Sequence, residues 1–514
     1  MKPRSSSSTS RRHGASTSSG TGDEQLLEQL GYKSVLARRV NALGNMAISA
    51  AIISPITGIF YSVSLVMMAG GPAVMVWGWL AAGLLVLVVG RSMAEINSKY
   101  PTSAALYYWS SALAKRHKKG WSWFTGWLNF CGQIGGTAGA DYAAAVFIQA
   151  LIALQWPSYN PTPGSTLAIF GVILLVHAAA NTLAVRTVAV LNKVAVVWLG
   201  VGILVIAGYL AAAPEHASAS FAFGHFVNST GFRWSWYAAA VGLLLPMGTF
   251  TGYDASPHLS EETTGAALAA PHGIVRSIKY CLVIGQVLVV ALAFSMTHYD
   301  TQASASNPPL QILLDAGSPT GAKLIMVIII GAMLFCGLAN LTSNSRQIFA
   351  FSRDGAIPGA TWWRRVSRRT QTPVNAVWLA AGSAFVLGVP SLWNTTALPA
   401  ILSVNVVGMY SAYGIAIWLR LRQGRRFAPG PYQLRYPLLN ARIAVAWVAV
   451  CCVLFVLPTA SPITVQNFNY AGVDLGVVLF IATAWWLISA RKSYSPTVYG
   501  GAEAMAEAQE AAAI

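Results

Sequence analysis

The sequence has little charge for its length. Lysine, arginine, aspartate and glutamate make up 10% of its 514 residues, whereas a soluble domain carries about 25%. Hydrophobic residues reach 55%. A chain this apolar has too few polar groups to cover a water-exposed surface, so we predict an integral membrane protein.

Long apolar runs recur along the chain. A membrane helix needs about twenty such residues, and this criterion yields twelve predicted spans, numbered 1 to 12. In order they cover residues 41–68, 72–93, 122–155, 166–183, 188–213, 234–256, 277–297, 322–345, 374–391, 397–419, 441–463 and 471–490. No stretch between them is long enough for a separate soluble domain.

Acidic residues are scarce, with 16 Asp and Glu against 33 Lys and Arg and a net charge of +17. Such an excess can indicate nucleic-acid binding, but its distribution favours another explanation. With a cytoplasmic N-terminus and twelve spans, only Arg233 and Lys323 fall outside. This asymmetry follows the positive-inside rule. We therefore predict a multi-pass protein of a plasma membrane (a bacterial inner membrane or a cell membrane) that contacts the lipid bilayer, has both termini in the cytoplasm and binds no nucleic acid.

The ends of the chain lack long apolar runs. Residues 1–40 are predicted to form a cytoplasmic tail, disordered and serine-rich at first, then an amphipathic helix from Glu24 to Val40. Residues 493–514 are predicted to form a second cytoplasmic tail. A membrane domain of twelve helices is predicted between them, at residues 41–492.

Enzyme signatures are missing too. The sequence contains no GxxxxGK[ST], HExxH, GxSxG or CxxC pattern. All five cysteines lie in predicted spans, away from the external loops where structural disulfides form. We therefore predict no enzymatic activity, no cofactor and no metal centre.

Span 1 is interrupted near its middle by Ser54-Pro55 and Thr57-Gly58. Proline removes a helix donor and glycine weakens the helix. In hydrocarbon an unpaired peptide group costs several kcal/mol, so the interruption indicates that a polar ligand or water meets the chain there.

Span 6 has a matching interruption, in which Pro246 precedes Gly248-Thr249-Phe250-Thr251-Gly252. Paired interruptions at corresponding positions of two five-span halves indicate an inverted-repeat transporter. The first repeat is then residues 41–213 and the second residues 234–419, with spans 11 and 12 at 441–490.

The chemistry of a broken helix suggests its ligand. A half-helix that begins near Thr57 presents bare N–H groups and a positive dipole end, which suit a carboxylate. A half-helix that ends near Ile53 or Ser54 presents free carbonyls, which suit an ammonium group or another cation. Together they predict a site for a zwitterion.

Four stretches carry a family resemblance. They are SMAEINSKYPTSAALYYWSSALA, GWLNFCGQIGGTAGADYA, GYDASPHLSEET and SNSRQIFAFSRDGAIP, which begin at Ser92, Gly126, Gly252 and Ser343. In these the chain resembles the amino acid/choline transporter family of the amino acid–polyamine–organocation superfamily. The resemblance implies an all-α membrane protein of twelve transmembrane helices in the leucine-transporter fold, with a 5+5 inverted repeat and broken helices 1 and 6. It also implies secondary transport of amino acids, 4-aminobutyrate, choline or polyamines.

The resemblance also implies site residues. It places the carboxylate-binding loop at Ile56-Thr57-Gly58, an aromatic gate at Phe250 and an acidic position at Asp254. Many relatives have glycine in place of Ile56, which predicts a bulkier site here or a substrate whose carboxylate is not beside its amine. The full predicted substrate site comprises Ser54, Ile56, Thr57, Gly58, Asp141, Phe250, Thr251, Gly252 and Asp254.

Ionisable groups inside a membrane often indicate function. Asp141 lies deep in span 3, where it holds a substrate amine, carries a coupling proton or hydrogen-bonds a neighbouring helix. His177 and Asn181 share a face of span 4, which favours a packing hydrogen bond over a proton relay. Glu95 is predicted to pair with Arg91 at the inner end of span 2. Glu261 and Glu262, which follow span 6, are each predicted to join an ion pair of a cytoplasmic gate or loop.

The coupling ion is open between a proton and sodium. Span 5 has one lysine, Lys193, at its cytoplasmic mouth, which argues against the lysine-based proton coupling of some relatives. Four polar residues of span 8 could instead offer oxygen ligands to sodium or simply pack between helices, namely Asn340, Thr342, Ser343 and Asn344.

The leading hypothesis is a permease for amino acids or related amino-group solutes such as 4-aminobutyrate. Choline or polyamine transport is the alternative. A solute sensor or a channel on the same scaffold is a hypothesis of another class, but a channel needs repeated pore helices or rings of like charge. Neither feature is visible in the sequence.

Overall fold

A computed structural model describes residues 18–496, apart from residues 34, 37, 184, 394–396 and 465–466. Eleven helices in this part are long and apolar enough to cross a membrane. They are Ala42–Met68, Gly71–Lys99, Lys118–Gln155, Pro163–Leu183, Val190–Ala211, Ala266–Phe294, Pro319–Arg353, Val374–Leu392, Ser403–Arg426, Pro437–Leu454 and Ala471–Ser493. They correspond to predicted spans 1–5 and 7–12, which confirms the all-helical membrane class.

The predicted span 6 is absent from that set because it is broken into short pieces. These are Ser235–Gly242, Leu244–Thr249 and Ala255–His258. The remaining short helices are Ser18–Gln29, Ala105–Leu113, Ala219–Gly224, Tyr299–Ser304, Pro308–Asp315 and Ala360–Trp363. The count of twelve helices and the inverted repeat stay predictions.

The break in span 1 is centred on Ser54. The helix Ala42–Ile53 ends there and the helix Pro55–Met68 begins directly after it. Ser54 has φ 35° and ψ 79°, in the left-handed region that few residues other than glycine adopt. Pro55 then occupies the first position of the second helix, where its missing N–H leaves no helical hydrogen bond unmade. The sequence thus breaks the helix without an extra unpaired donor at the proline.

The spans form two groups that meet at the breaks. Span 3 packs most extensively against spans 8 and 10, while span 7 packs against span 2 and the first half of span 1. The segment Leu244–Thr249 of span 6 contacts the second half of span 1. Spans 11 and 12 are the most exposed, because only 22% and 11% of the residues in their most apolar stretches are buried. They therefore add little to the central core.

Loops and helix ends on one side of the bundle are tied together by polar contacts. Glu95 pairs with Arg420 at 2.9 Å, Glu261 with Arg353 at 3.0 Å and Glu262 with Arg346 at 2.7 Å. We call this side, which carries residues 23–33, 35–36, 38–40, 95–122, 258–267, 346–354 and 420–432, the basic face. The partner predicted for Glu95 was wrong, because the guanidinium of Arg420 lies against its carboxylate where Arg91 was expected.

The N-terminal segment lies across the basic face, and its predicted helix is mostly absent. Helical structure ends at Gln29, and Gly31 follows with φ 86°. Beyond it the chain bonds to the loop after span 6, since Arg38 Nη1 donates to Thr263 O at 2.9 Å and Val40 bridges to Thr263. The amphipathic helix predicted over Glu24 to Val40 was therefore wrong after Gln29. Residues 1–17 lie outside the described part.

The chain after span 12 also begins in contact with the bundle. Tyr494 is buried, and its hydroxyl lies 2.7 Å from Ser122 Oγ on span 3. The predicted C-terminal tail thus starts with an anchored residue, and residues 497–514 lie outside the described part.

Candidate substrate site

The two breaks line one cavity of about 50 Å³. Three other spans complete its wall. The lining residues are Ile52, Ile53, Thr57, Gly58 and Tyr61 from span 1, Gly248, Thr249, Thr251 and Gly252 from span 6, Gly136, Gly139 and Ala140 from span 3, Cys336 and Asn340 from span 8, and Asn405 and Val406 from span 10. None of these sixteen residues carries a charge.

The first break presents the start of a half-helix to this cavity. Gly58 N–H already donates to Ser54 O at 3.0 Å, so it is not free for a ligand as predicted. The N–H groups without an acceptor inside this helix are those of Ile56 and Thr57, because they precede the first helical hydrogen bond. Ser54 Oγ lies 2.6 Å from Thr57 Oγ1, which holds the Thr57 side chain at the mouth of the half-helix.

The other side of the first break presents carbonyl groups. Ile52 and Ile53 both line the cavity, and Ile52 O accepts a hydrogen bond from the Cys336 thiol at 3.2 Å. Cys336 Sγ in turn lies 3.5 Å from Asn340 Nδ2. Span 8 therefore contacts the broken backbone of span 1 through a neutral thiol, at a carbonyl that would otherwise suit a cation.

The second break is held by two tyrosines of span 10. Gly252 N–H donates to the Tyr413 hydroxyl at 3.3 Å, and the Tyr410 hydroxyl donates to Phe250 O at 3.2 Å. The left-handed φ of 82° at Gly252 and its close approach to the Ile52 side chain both require glycine. Span 10 thus satisfies peptide groups that the break leaves unpaired.

Phe250 does not line the cavity. Its ring lies 4.6 Å, between centroids, from Trp79 of span 2 and is fully buried. Gly83, one turn further along span 2, also faces this ring. In this structure the ring packs between helices, and the gate assigned to Phe250 stays a prediction.

Ile56 also points away from the cavity. Its Cδ1 would lie 3.2 Å from a Cβ placed on Gly202 of span 5. The side chain fills space beside that glycine, so its bulk does not alter the cavity wall. A substrate with separated charges is therefore not indicated by this residue.

Asp254 is buried behind the second break, in a complete set of donors. Its Oδ1 accepts from the Tyr413 hydroxyl at 2.7 Å, and its Oδ2 accepts from Asn129 Nδ2 at 3.0 Å and Gln133 Nε2 at 2.9 Å. His258 Nε2 lies 3.4 Å from the same Oδ2. The carboxylate therefore joins spans 3, 6 and 10, and it reaches the cavity only through Tyr413 and Gly252.

Asp141 is fully buried directly behind the cavity wall formed by Gly139 and Ala140. Its Oδ2 lies 3.1 Å from His177 Nδ1 on span 4. Asp141 itself is not a lining residue. Of the three interpretations drawn from the sequence, the contact with a neighbouring helix is observed in this structure, while contact with a substrate amine and a coupling proton stay predictions.

Two asparagines line the cavity without having been assigned to the substrate site from the sequence, namely Asn340, considered only for sodium or packing, and Asn405. A Cβ placed on Gly136 would lie 2.8 Å from Asn340 Oδ1 and 3.2 Å from Asn405 Oδ1, so both amide oxygens face this glycine. Asn405 is the only amide in an apolar stretch of span 10, a signal that could have identified it. Tyr61, one turn after Gly58, adds the only aromatic ring of the lining.

The four polar residues of span 8 proposed for sodium do not converge. Asn340 lines the cavity, Thr342 Oγ1 donates to Asn181 Oδ1 at 2.7 Å, and Asn344 Nδ2 lies 3.4 Å from Thr137 Oγ1. They face different neighbours around the helix, and Ser343 Oγ has no hydrogen-bond partner within the described residues. Thr342 and Asn344 form packing hydrogen bonds, and a sodium site stays a prediction.

A second cavity, of about 450 Å³, lies toward the basic face, and we call it the vestibule. Its lining includes Arg39, Lys193 and Arg346, together with Asn181 and Thr342. Lys193 is thus at the mouth of span 5, as predicted. The vestibule is basic, whereas the substrate cavity is uncharged.

The chain is similar in sequence to known amino-acid permeases. A family described as "Amino acid permease" matches residues 43–482. Amino-acid permease BAT1 of Arabidopsis thaliana is 37% identical over 90% of this chain and 94% of its own length. Amino-acid permease 2 of Neurospora crassa is 30% identical over 93% and 90%, and a GABA-specific permease of Saccharomyces cerevisiae is 28% identical over 92% and 85%.

Proposed function

This chain belongs to the amino acid permease family, which carries amino acids across a membrane, and we propose that it is a secondary active transporter working by alternating access. The solute is a net-neutral amino acid or a related amino-group compound such as 4-aminobutyrate. It binds in the cavity between the two breaks.

One observation carries this proposal, namely that both breaks open into one uncharged cavity. The N–H groups of Ile56 and Thr57 form the positive end of a helix dipole, which stabilises a carboxylate. The amide oxygens of Asn340 and Asn405 are acceptors for an ammonium group. A zwitterion satisfies both ends at once and leaves no net charge in the membrane.

The same cavity argues against choline and polyamines as principal substrates. A permanent cation buried away from water needs an anionic partner or an aromatic cage. The lining contains no carboxylate, and Tyr61 is its single aromatic residue. Asp254 and Asp141 are both engaged behind the wall by other side chains.

Alternating access needs a barrier on each side of the site. Three ion pairs, two of them buried, tie span 2 to span 10 and the segment after span 6 to span 8 on the basic face, and the Phe250–Trp79 contact packs span 6 against span 2. Breaking the ion pairs would let the cavity open toward the vestibule. We propose that this side is cytoplasmic, in agreement with its basic residues.

The finer organisation is proposed on the same grounds. Residues 41–492 form the permease domain in a plasma membrane, with both tails in the cytoplasm. Spans 1–5 and 6–10 form inverted repeats, and the two breaks supply the supporting observation, because broken helices of this kind form the substrate site in inverted-repeat transporters.

Uptake by proteoliposomes of purified protein tests this function. Labelled neutral, acidic and basic amino acids, 4-aminobutyrate, choline and putrescine would be supplied singly, with empty liposomes as control. We expect saturable counterflow of net-neutral zwitterions only. Counterflow of choline or putrescine alone would overturn the proposal, and so would binding of an amino acid without any flux, the behaviour of a sensor. Conductance that does not saturate would indicate a channel.

A further inference from the structure

We propose that Asp141 and His177 together form the binding site for a coupling proton. This inference rests on the proposed transport function and names its ion. The two side chains come from adjacent spans, 3 and 4, with Asp141 Oδ2 at 3.1 Å from His177 Nδ1. Neither was expected to contact the other from the sequence, where they are 36 positions apart.

The pair lies in a buried environment in which a net charge is unfavourable. Asp141 is 0% exposed, and its Oδ1 has no hydrogen-bond partner. Within the described residues no Lys or Arg forms an ion pair with it. With one proton the pair is neutral overall, either as carboxylate and imidazolium or as carboxyl and imidazole. Without that proton it carries one uncompensated negative charge inside the membrane, which is strongly unfavourable.

The other titratable groups near the pair do not supply a competing charge. From span 8, the neutral Cys336 precedes Gly337, whose Cα packs directly against the carboxylate. On span 3, the Tyr142 ring packs against Phe170, at 5.6 Å between centroids. The described part of span 9, residues 374–392, contains no ionisable side chain. Proton binding at this place therefore reports the state of the pair itself.

Cys336 connects the pair to the substrate site. Its thiol has a single proton, which it donates to Ile52 O in the first break. When the pair holds its proton, the charge of Asp141 is balanced or absent and that donation is undisturbed. Without the proton, the unbalanced negative charge of Asp141 attracts the same thiol proton and weakens the contact that shapes the break. Proton and solute therefore bind cooperatively, which is the requirement for coupled transport.

The proton has a route toward the basic face. Asn181, one helical turn after His177, accepts from Thr342 at 2.7 Å, and both residues line the vestibule. Asn181 Nδ2 also donates to His177 O at 3.1 Å. When span 4 or span 8 moves, water from the vestibule needs to advance by about one turn to reach the imidazole. The step itself is simple, because water on one side gives the proton to the pair and water on the other side later receives it.

The test uses proteoliposomes with a trapped pH dye and an acidic exterior. We expect the wild-type protein to accumulate a neutral amino acid and to acidify the lumen as it does so. The Asp141→Asn variant removes the need for a proton, so it should keep counterflow within about twofold while losing accumulation and acidification. The double variant Asp141→Asn/His177→Gln should behave like the single one, because the two residues act as a unit. Asp300→Asn and His298→Gln, both exposed outside the spans, are matched controls that should behave as wild type.

Each other result contradicts the inference in a recognisable way. Wild-type counterflow without any acidification would leave the transport function standing and remove the proton. Accumulation by Asp141→Asn at the wild-type level would show that the residue only packs. A raised KM in counterflow with acidification intact would assign Asp141 to the substrate amine. A thermal-shift measurement on each variant ensures that the protein compared is folded, and His177→Gln alone provides a second variant if Asp141→Asn is unstable.

Discussion

Gly58 in the first break lies directly against the side chain of Thr249 in the second. A Cβ placed on Gly58 would fall 2.7 Å from Thr249 Cβ and closer still to its Oγ1. Thr249 is fixed in turn, because its hydroxyl donates to Leu245 O at 2.8 Å. The helix ends beside the two breaks therefore pack against one another, and neither shape is independent of the other.

A first prediction follows from this contact. Gly58→Val should abolish uptake while insertion into the membrane stays normal, since the branched side chain collides with Thr249 and with the unwound backbone. Gly58→Ala should reduce uptake strongly, and adding Thr249→Gly should restore part of it by removing the colliding atoms. Gly382→Ala is the control, because a Cβ there meets no atom within 4 Å. Counterflow in proteoliposomes measures all four, and normal transport by Gly58→Val would contradict the assignment.

A second prediction concerns the amide oxygens of Asn340 and Asn405. If Asn405 accepts a hydrogen bond from the substrate ammonium, Asn405→Leu should raise KM roughly 10- to 100-fold, the scale of a lost hydrogen bond to a charged group. Asn405→Asp should shift preference from neutral toward cationic solutes, because it adds a charge to a neutral cavity. Asn375→Leu on span 9, outside the cavity, is the control. Unchanged KM and unchanged selectivity in both variants would remove Asn405 from the site.

A third prediction separates packing from gating at Phe250. Because its ring packs on Trp79, Phe250→Ala should leave a void and destabilise the protein by about 3–5 kcal/mol. Phe250→Tyr and Phe250→Trp should each be destabilised too, because the site is already filled. Thermal denaturation and KM would be measured on the same preparations. A raised KM with unaltered thermal stability would instead support the gate that the family resemblance implies.

A fourth prediction concerns closure of the basic face. Arg346 is 3% exposed and pairs with Glu262 at 2.7 Å. Glu262→Gln leaves its guanidinium buried without a counter-charge, which costs about 3–5 kcal/mol. We expect faster labelling of the vestibule by membrane-impermeant reagents from the basic side, together with weaker accumulation. The exchanged pair Glu262→Arg/Arg346→Glu should recover part of both, and a variant as closed as wild type would contradict this role.

Much of the fold was predictable, because its determinants are local. Apolar length defines the spans, and Pro55, Gly58 and Gly252 mark the breaks by chemistry that acts within a few residues. Asn405 carries an equally local signal, because it is a single amide in an apolar stretch of span 10. The distribution of basic residues likewise predicted which face carries the ion pairs. Glu95, however, pairs with Arg420 and not with Arg91 of its own helix.

The rest depends on contacts between distant segments. Phe250, Thr251 and Gly252 are consecutive, yet the ring of the first packs on Trp79 while the other two line the cavity. In an unwound segment no helical period relates one side-chain direction to the next, so only the partner helices decide. Asp141 is a similar case, because its partner His177 is on another span whose rotation the sequence does not reveal.

The uncharged cavity has an electrical consequence. A zwitterion that crosses from such a cavity moves no net charge, so the membrane voltage does no work on the solute itself. If one proton accompanies each solute, every cycle carries one positive charge. That charge is worth about 2.3 kcal/mol per 100 mV, enough for roughly fifty-fold accumulation. Transport should then generate a current whose size per solute is the same for every neutral amino acid carried.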